Sequence, residues 1–257
     1  MIFTTGLVVA AAVSLTGLSA SCQAAGAAVL TGPAGTCLGV AGLVNVAMTN
    51  STQSLVTPID NWLTSTCSQP ACTNATIEGA ITNITNGCQS DLNASGLSTD
   101  TWKEISDGFK EWYPVGRQVA CLKQGNDLGN DLCVTKTLRD IENWVGQPLS
   151  KDTIKTVIPK LVSTGTEVPT NLTCTDCTHA AYSLIRPHLT DSERSQWDSY
   201  VNGRCGSGYV DGATPNGVIQ SANAATQGTS NGAMSSFSAW STTAVLAGVA
   251  SLAVFAL

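Results

Sequence analysis

Ten cysteines, at positions 22, 37, 67, 72, 88, 121, 133, 174, 177 and 205, constrain this 257-residue chain more than any other feature. An even number of cysteines in a chain routed to an oxidising compartment reads as a disulfide framework, here of up to five bridges. The spacings leave the connectivity open. They split into two sets of five, each with one close pair (Cys67/Cys72 and Cys174/Cys177), which suggests an ancient duplication with halves 21–113 and 114–205. Five is odd, so a strict repeat requires at least one bridge between the halves or an unpaired cysteine.

Both ends of the chain support the oxidising route. Gly6 to Leu18 is an apolar run of the length of a secretory signal, and Ser19-Ala20-Ser21 supplies small residues for cleavage, so residues 1–20 read as a signal peptide. At the other end, Ala244 to Leu257 is apolar but only 14 residues long, with no Lys or Arg after it. A membrane-spanning helix needs about 20 apolar residues. The small triplet Asn231-Gly232-Ala233, the polar spacer Met234–Thr243 and this tail follow the layout of a glycosylphosphatidylinositol (GPI) attachment signal, with Asn231 as the anchor residue and 232–257 removed. The membrane is then a partner through the lipid alone.

Five Asn-x-Ser/Thr sequons, at Asn50, Asn74, Asn83, Asn93 and Asn171, mark N-glycosylation sites that must face solvent. Asn74 and Asn83 fall in one helical segment, nine residues and about 180° apart, so one of them has to lie toward the buried side or close to a helix end. Basic residues occur only between Lys103 and Arg204, and the formal net charge is −6. Without a basic stripe there is no footprint for nucleic acid.

The apolar spacing predicts an all-α fold of about eight helices and no strand. Thr36 is placed to cap a helix with Leu38, Leu43, Val44 and Val46, and Thr57-Pro58-Ile59-Asp60 to open one with Trp62 and Leu63. Thr101-x-x-Glu104 opens a helix with Trp102, Ile105, Phe109 and Trp112 that stops before Pro114. Leu138, Ile141, Trp144 and Val145 form a helix ending at Gly146. Ser150 starts one with Ile154 and Val157, kinked or ended at Pro159, and Thr173 or Thr175 starts one with Tyr182 and Ile185. Thr190-x-x-Glu193 boxes a last helix with Trp197 and Val201, closed by Gly203. The helical ectodomain thus covers 21–205, and the Gly/Ser/Thr/Asn-rich stretch 206–231 reads as a flexible stalk.

Several motifs carry chemistry, and each has a plainer reading. Cys174-Thr175-Asp176-Cys177-Thr178-His179 has the CxxC spacing of redox, zinc and haem-attachment sites. Its histidine is displaced by one residue and no second CxxC completes a zinc site, so structural disulfides are the better reading. His179 and His188 are the only histidines. Gly228-Thr229-Ser230-Asn231-Gly232 matches a nucleophile elbow in letters, but both histidines precede it and it overlaps the anchor site. Asn126 to Asp131 is an acidic loop without the alternating ligands of an EF-hand. The five tryptophans of the mature chain fall at core spacing, with an apolar ligand pocket as the alternative. No catalytic or cofactor-binding residue is assigned.

Tyr113-Pro114, Cys121-Leu122-Lys123, Leu132-Cys133-Val134-Thr135, Cys174-x-x-Cys177, Cys205-Gly206 and Tyr209-Val210-Asp211-Gly212, ahead of a Ser/Thr-rich tail, resemble a family of fungal secreted cysteine-rich, GPI-anchored surface proteins without an assigned activity. The resemblance spans roughly 113–212. It implies a cell-surface or cell-wall glycoprotein with a structural, adhesive or interaction role, facing wall polysaccharide or surface proteins and needing no cofactor. A more distant likeness, to fungal anchored haem-capturing mannoproteins, sets the alternative: an extracellular carrier of haem, sterol or another apolar ligand.

Overall fold

The computed structural model describes residues 17–125, 131–162 and 168–223, and within them the chain is a disulfide-stapled helical domain. Its elements in order are α1 (Ala20–Thr31), α2 (Pro33–Cys37), α3 (Val40–Met48), α4 (Val56–Ser68), α5 (Asn74–Ala94), α6 (Thr99–Ala120), β1 (Leu122–Gln124), α7 (Cys133–Val145), α8 (Lys151–Val162), α9 (Thr170–Thr173), α10 (Asp176–Ile185), α11 (Asp191–Cys205) and β2 (Val218–Gln220). Arg186–His188 and Ser207–Val210 are 3₁₀ turns.

The eleven helices among the described residues exceed the expected eight by α1, α2 and α9, which the apolar spacing does not place. Ser19-Ala20-Ser21, read above as a cleavage site, forms the cap and first turn of α1: Ser19 Oγ accepts from the Cys22 amide and donates to Asp91. Cleavage after Ala20 would remove that cap and leave Cys22, which is bridged to Cys88 on α5. Thr36 does not cap the next long helix. It ends the short α2, and α3 starts only after Gly39, whose φ of 61° is the left-handed conformation glycine tolerates. A Cβ at Gly39 would stand 2.2 Å from Thr66 Oγ1, so α3 lies hard against α4. The Trp62 indole N–H donates to the Leu38 carbonyl at this crossing.

α4 begins at Val56, one residue before the expected Thr57 cap, because Ser54 Oγ takes the Val56 N–H and the Leu55 N–H bonds to the Leu149 carbonyl. α6 starts from Ser98, not Thr101, and continues through Pro114 to Ala120. An interior proline removes one helix bond and costs about 3 kcal/mol. Burial of Val115 and Val119 beyond it, with the Cys121 bridge at the helix end, offsets that cost. α8 likewise runs past Pro159 to Val162. The expected caps at Thr36, Thr57 and Thr101 are thus displaced, whereas three other helix ends stand where the sequence puts them. Thr190 and Glu193 close a reciprocal box on α11, Thr175 and Thr178 close one on α10, and Gly146 (φ 73°) ends α7. α11 ends at Cys205 instead of Gly203, with Gly206 (φ 90°) taking the positive-φ position.

The main core joins α3, α4, α7 and α8. Val46, Ile59 and Leu63 pack against Leu138, Ile141 and Val157 from the other half of the sequence. Each fully buried aliphatic side chain contributes roughly 1.5–3 kcal/mol. Thr135, fully buried, gives its hydroxyl proton to the Asp60 carboxylate across the same interface, 2.6 Å. The boundary at 113/114 falls inside α6, so the two halves share one core.

The segment expected to be a stalk is folded as far as it is described. β2 pairs antiparallel with β1 in the register Leu122–Gln220, Lys123–Ile219, Gln124–Val218, a sheet the apolar spacing did not predict. The Ser221 N–H and hydroxyl both bond to the Cys121 carbonyl, and the Asn223 N–H bonds to the Cys67 carbonyl. The strap 207–223 therefore ties the end of the domain to the bridge that joins its halves.

Candidate functional site

The five bridges are Cys22–Cys88, Cys37–Cys72, Cys67–Cys121, Cys133–Cys177 and Cys174–Cys205, and no free cysteine remains. Two lie in each half and Cys67–Cys121 crosses between them, the first of the two outcomes the odd count allowed. The two sets share only the second-to-fourth pairing; the rest of the wiring differs, and the close pairs are used differently. Cys174 and Cys177 are not bonded to each other. Their sulfurs are committed to α11 and α7, which removes the dithiol that redox chemistry, zinc ligation or haem attachment would use.

His179 projects from α10, one turn after Thr175. Its Nε2 lies 3.1 Å from Asp211 Oδ1, and its ring stacks on Tyr209 with centroids 4.6 Å apart. Asp211 also accepts the Ala213 N–H, and that bond first, then His179, holds its carboxyl below the ordinary carboxylate range. Ser183, one turn along α10, donates its hydroxyl proton to the Ala213 carbonyl, 2.9 Å. Serine, histidine and aspartate thus meet without forming a nucleophile–base relay, because the serine proton is aimed at the backbone. What the group does is clamp the 209–213 turn onto α10.

A second polar cluster joins α10 to α11. Asp198 accepts two bonds from the Arg186 guanidinium, 2.7 Å each, and one from the Tyr182 hydroxyl, 2.6 Å. Arg186 is the main reason the Asp198 carboxyl titrates low, while burial and then Asp198 push the Tyr182 phenol upward. A third feature is Arg117 on α6, 8% exposed, whose Nη2 donates to the Gln69 carbonyl while its Nε and Nη1 have no partner in the protein. None of these three was predicted from sequence. Of their members, the sequence singles out only His179, beside the CxxC string, and Tyr209-Val210-Asp211-Gly212, on other grounds.

His188 lies in the exposed 3₁₀ turn with its ring 6.2 Å from Trp112. Among the described residues no group of three His, Cys, Asp or Glu side chains could hold a metal. Asn231, the Gly228–Gly232 motif and most of the acidic loop at 126–131 lie outside the described residues; Asp131 at the loop's edge pairs with Arg139.

The core role suggested for the tryptophans holds in part: Trp62 and Trp197 are half-buried against core clusters and Trp102 is half-buried, but two others depart from it. Trp112 is 39% exposed because the inward stripe of α6 carries Ser106, Val115 and Arg117 instead, and Trp144 sits at the surface of α7, whose buried face is Thr135, Leu138 and Ile141. The hollow beside Trp102 measures about 20 Å³, close to the volume one water occupies. An open groove of about 350 Å³ lies elsewhere, between the α1–α2 turn and α5, lined by Val29, Pro33, Thr76, Ala80 and Asn83 among small residues.

All five sequon asparagines are exposed. Asn74 is the first residue of α5 and Asn83 lies mid-helix, so the conflict between their faces is resolved by the end position of Asn74. No helix among the described residues is long and apolar enough to cross a membrane.

No family model, curated protein or solved structure matches this chain.

Proposed function

We propose that this chain is a secreted, N-glycosylated surface protein, anchored through a glycolipid on Asn231 and resident at the plasma membrane or passed to a fungal-type cell wall. Its role there is non-enzymatic: wall organisation, adhesion, or interaction with surface partners. The observation that carries this reading is the full pairing of ten cysteines in long-range bridges on a body whose five sequons all face solvent. Five disulfides fit an oxidising, extracellular compartment. The polar clusters support it as well, since His179, Asp211, Asp198 and Arg186 each spend their interactions on holding elements together.

The strap changes the expected reach of the anchor. Eight residues separate Asn223 from Asn231, a span of at most about 28 Å when fully extended. The domain then stands close to its glycolipid instead of on a long stalk. The test is release from intact cells by a phospholipase specific for phosphatidylinositol, with C-terminal peptide mass spectrometry. Persistence of residues 244–257 in the mature protein would sink the anchor.

The groove beside α5 favours a second reading, a carrier of a small apolar ligand, since its volume lies at the low end of ligand sites. The two readings meet at Asn83, which lines the groove: a glycan there would stand over the opening. Native mass spectrometry of the glycosylated protein with haem and sterols separates them.

A further inference from the structure

N-glycosylation joins the Asn amide nitrogen to a sugar while the transferring enzyme also grips the hydroxyl two residues later. Both groups must therefore be offered to one protein surface. In a helix, residues i and i+2 are rotated by about 200° and point to opposite sides. A sequon is for that reason expected on a loop.

Four of the five sequons fail this condition in the folded domain. Asn74, Asn83 and Asn93 lie in α5 and Asn171 in α9. Their hydroxyls are also spoken for. Thr76 Oγ1 bonds to Thr73 Oγ1, and Ser95 Oγ donates to the Leu92 carbonyl. Thr85 Oγ1 donates to the Ile81 carbonyl and accepts the Trp102 indole N–H at 2.5 Å. Thr173 Oγ1 donates to the Pro169 carbonyl and accepts from Arg204 Nε.

Asn50 is different. It lies in the turn between α3 and α4, closed by a Gln53 N–H to Asn50 carbonyl bond. There the Thr52 N–H and hydroxyl both donate to Asn50 Oδ1, 3.1 and 3.0 Å, so amide and hydroxyl share one exposed face. The turn is held from behind by the Asp152 N–H on the Ser51 carbonyl.

Resting on the secreted-glycoprotein reading above, we propose that Asn50 is the one acceptor of the five that the folded, disulfide-closed domain presents, and that Asn74, Asn83, Asn93 and Asn171 receive glycan only before α5 and α9 form. The donor is a lipid-pyrophosphate oligosaccharide. The Asn50 amide nitrogen bonds to its anomeric carbon, the bond from that carbon to the pyrophosphate oxygen breaks, the lipid pyrophosphate leaves with the electron pair, and one amide proton passes to a base of the transferase. For Asn83 the order has a structural sense: the Thr85 hydroxyl serves the transferase first and then becomes the acceptor for Trp102.

The test takes the full chain, made without glycans in an oxidising host, and offers it to purified oligosaccharyltransferase and lipid-linked oligosaccharide in two states, native and oxidised or reduced, alkylated and unfolded. Site-resolved glycopeptide mass spectrometry reads the initial rates. In the native state Asn50 is expected to react at least about tenfold faster than each of the other four, which must wait for local opening, and in the unfolded state the five converge. Native Asn83 or Asn171 reacting as fast as Asn50, or native Asn50 lagging behind the unfolded chain as the others do, would overturn the proposal. Refusal of all five in the unfolded chain, while a short control peptide is accepted, would instead remove the glycoprotein reading and this inference with it.

Discussion

Replacing both cysteines of the one bridge between the halves, Cys67→Ala with Cys121→Ala, should destabilise the domain by an amount the wiring sets. The bridge closes a loop of 54 residues. Taken singly, neither Cys22–Cys88 nor Cys37–Cys72 shortens the route from Cys67 to Cys121; together they give a second route of nearly equal length, and the two bridges of the second half lie wholly beyond Cys121. The unfolded chain therefore gains the freedom of the full loop, worth about 4 kcal/mol in the chain-entropy description. For a domain of this size that corresponds to a fall in Tm of roughly 8–16 °C. Thermal unfolding followed by far-UV circular dichroism, without reductant, measures it. Because α4 and α7 share one core, the double variant should still melt in a single transition. A shift under about 3 °C would refute the loop argument, and a melt splitting into two transitions would refute the shared core.

Three further outcomes follow from the same contacts. Asp198 has a folded carboxyl that titrates below its ordinary 3.8, so its contribution is complete above that value and is lost as pH falls through the lower, folded one. Asp198→Asn should flatten the acid limb of stability measured by urea titration between pH 5 and pH 2, relative to the native protein, in steps of roughly one pH unit. Gly39→Ala forces a side chain into positive φ and against Thr66, and should cost about 1–3 kcal/mol by chemical denaturation, whereas Gly79→Ala, with open space at its Cβ, should be neutral or stabilising. His179→Ala should raise amide exchange in 209–213 far more than it lowers the global melting temperature, since the Asp211 carboxylate is half exposed and the pair fixes one turn. Protection of 209–213 that survives this substitution would show that the clamp lies elsewhere.

How far the fold could be read depended on whether its cause was local. The helices with caps written into a few adjacent residues, such as Thr190 with Glu193 or the stop at Gly146, are legible because the bonds that define them span one turn. α6 was read as stopping at Pro114 because local rules count the lost hydrogen bond but not the burial of Val115 and Val119 or the distant Cys67. Three-residue strands carry too short a pattern to show a period, and Val218–Gln220 sits in a segment whose composition resembles a linker; only its partner Leu122–Gln124 makes it a strand. The same limit hid the site-level features. His179 is visible in the sequence, but Asp211 and Tyr209 come to it from 30 or more residues away, and the Arg117 fork donates to the carbonyl of Gln69, 48 residues earlier. The parity of five cysteines per half did require a crossing bridge or a free thiol, yet which cysteines cross is a property of the packed helices.

The most direct test of the account is a disulfide map of the non-reduced protein by peptide mass spectrometry. It should return Cys22–Cys88, Cys37–Cys72, Cys67–Cys121, Cys133–Cys177 and Cys174–Cys205, with no alkylatable thiol. A Cys174–Cys177 bridge, or a reducible pair of thiols at these positions in the native protein, would contradict the structural role of the cysteines and restore a redox reading of the motif.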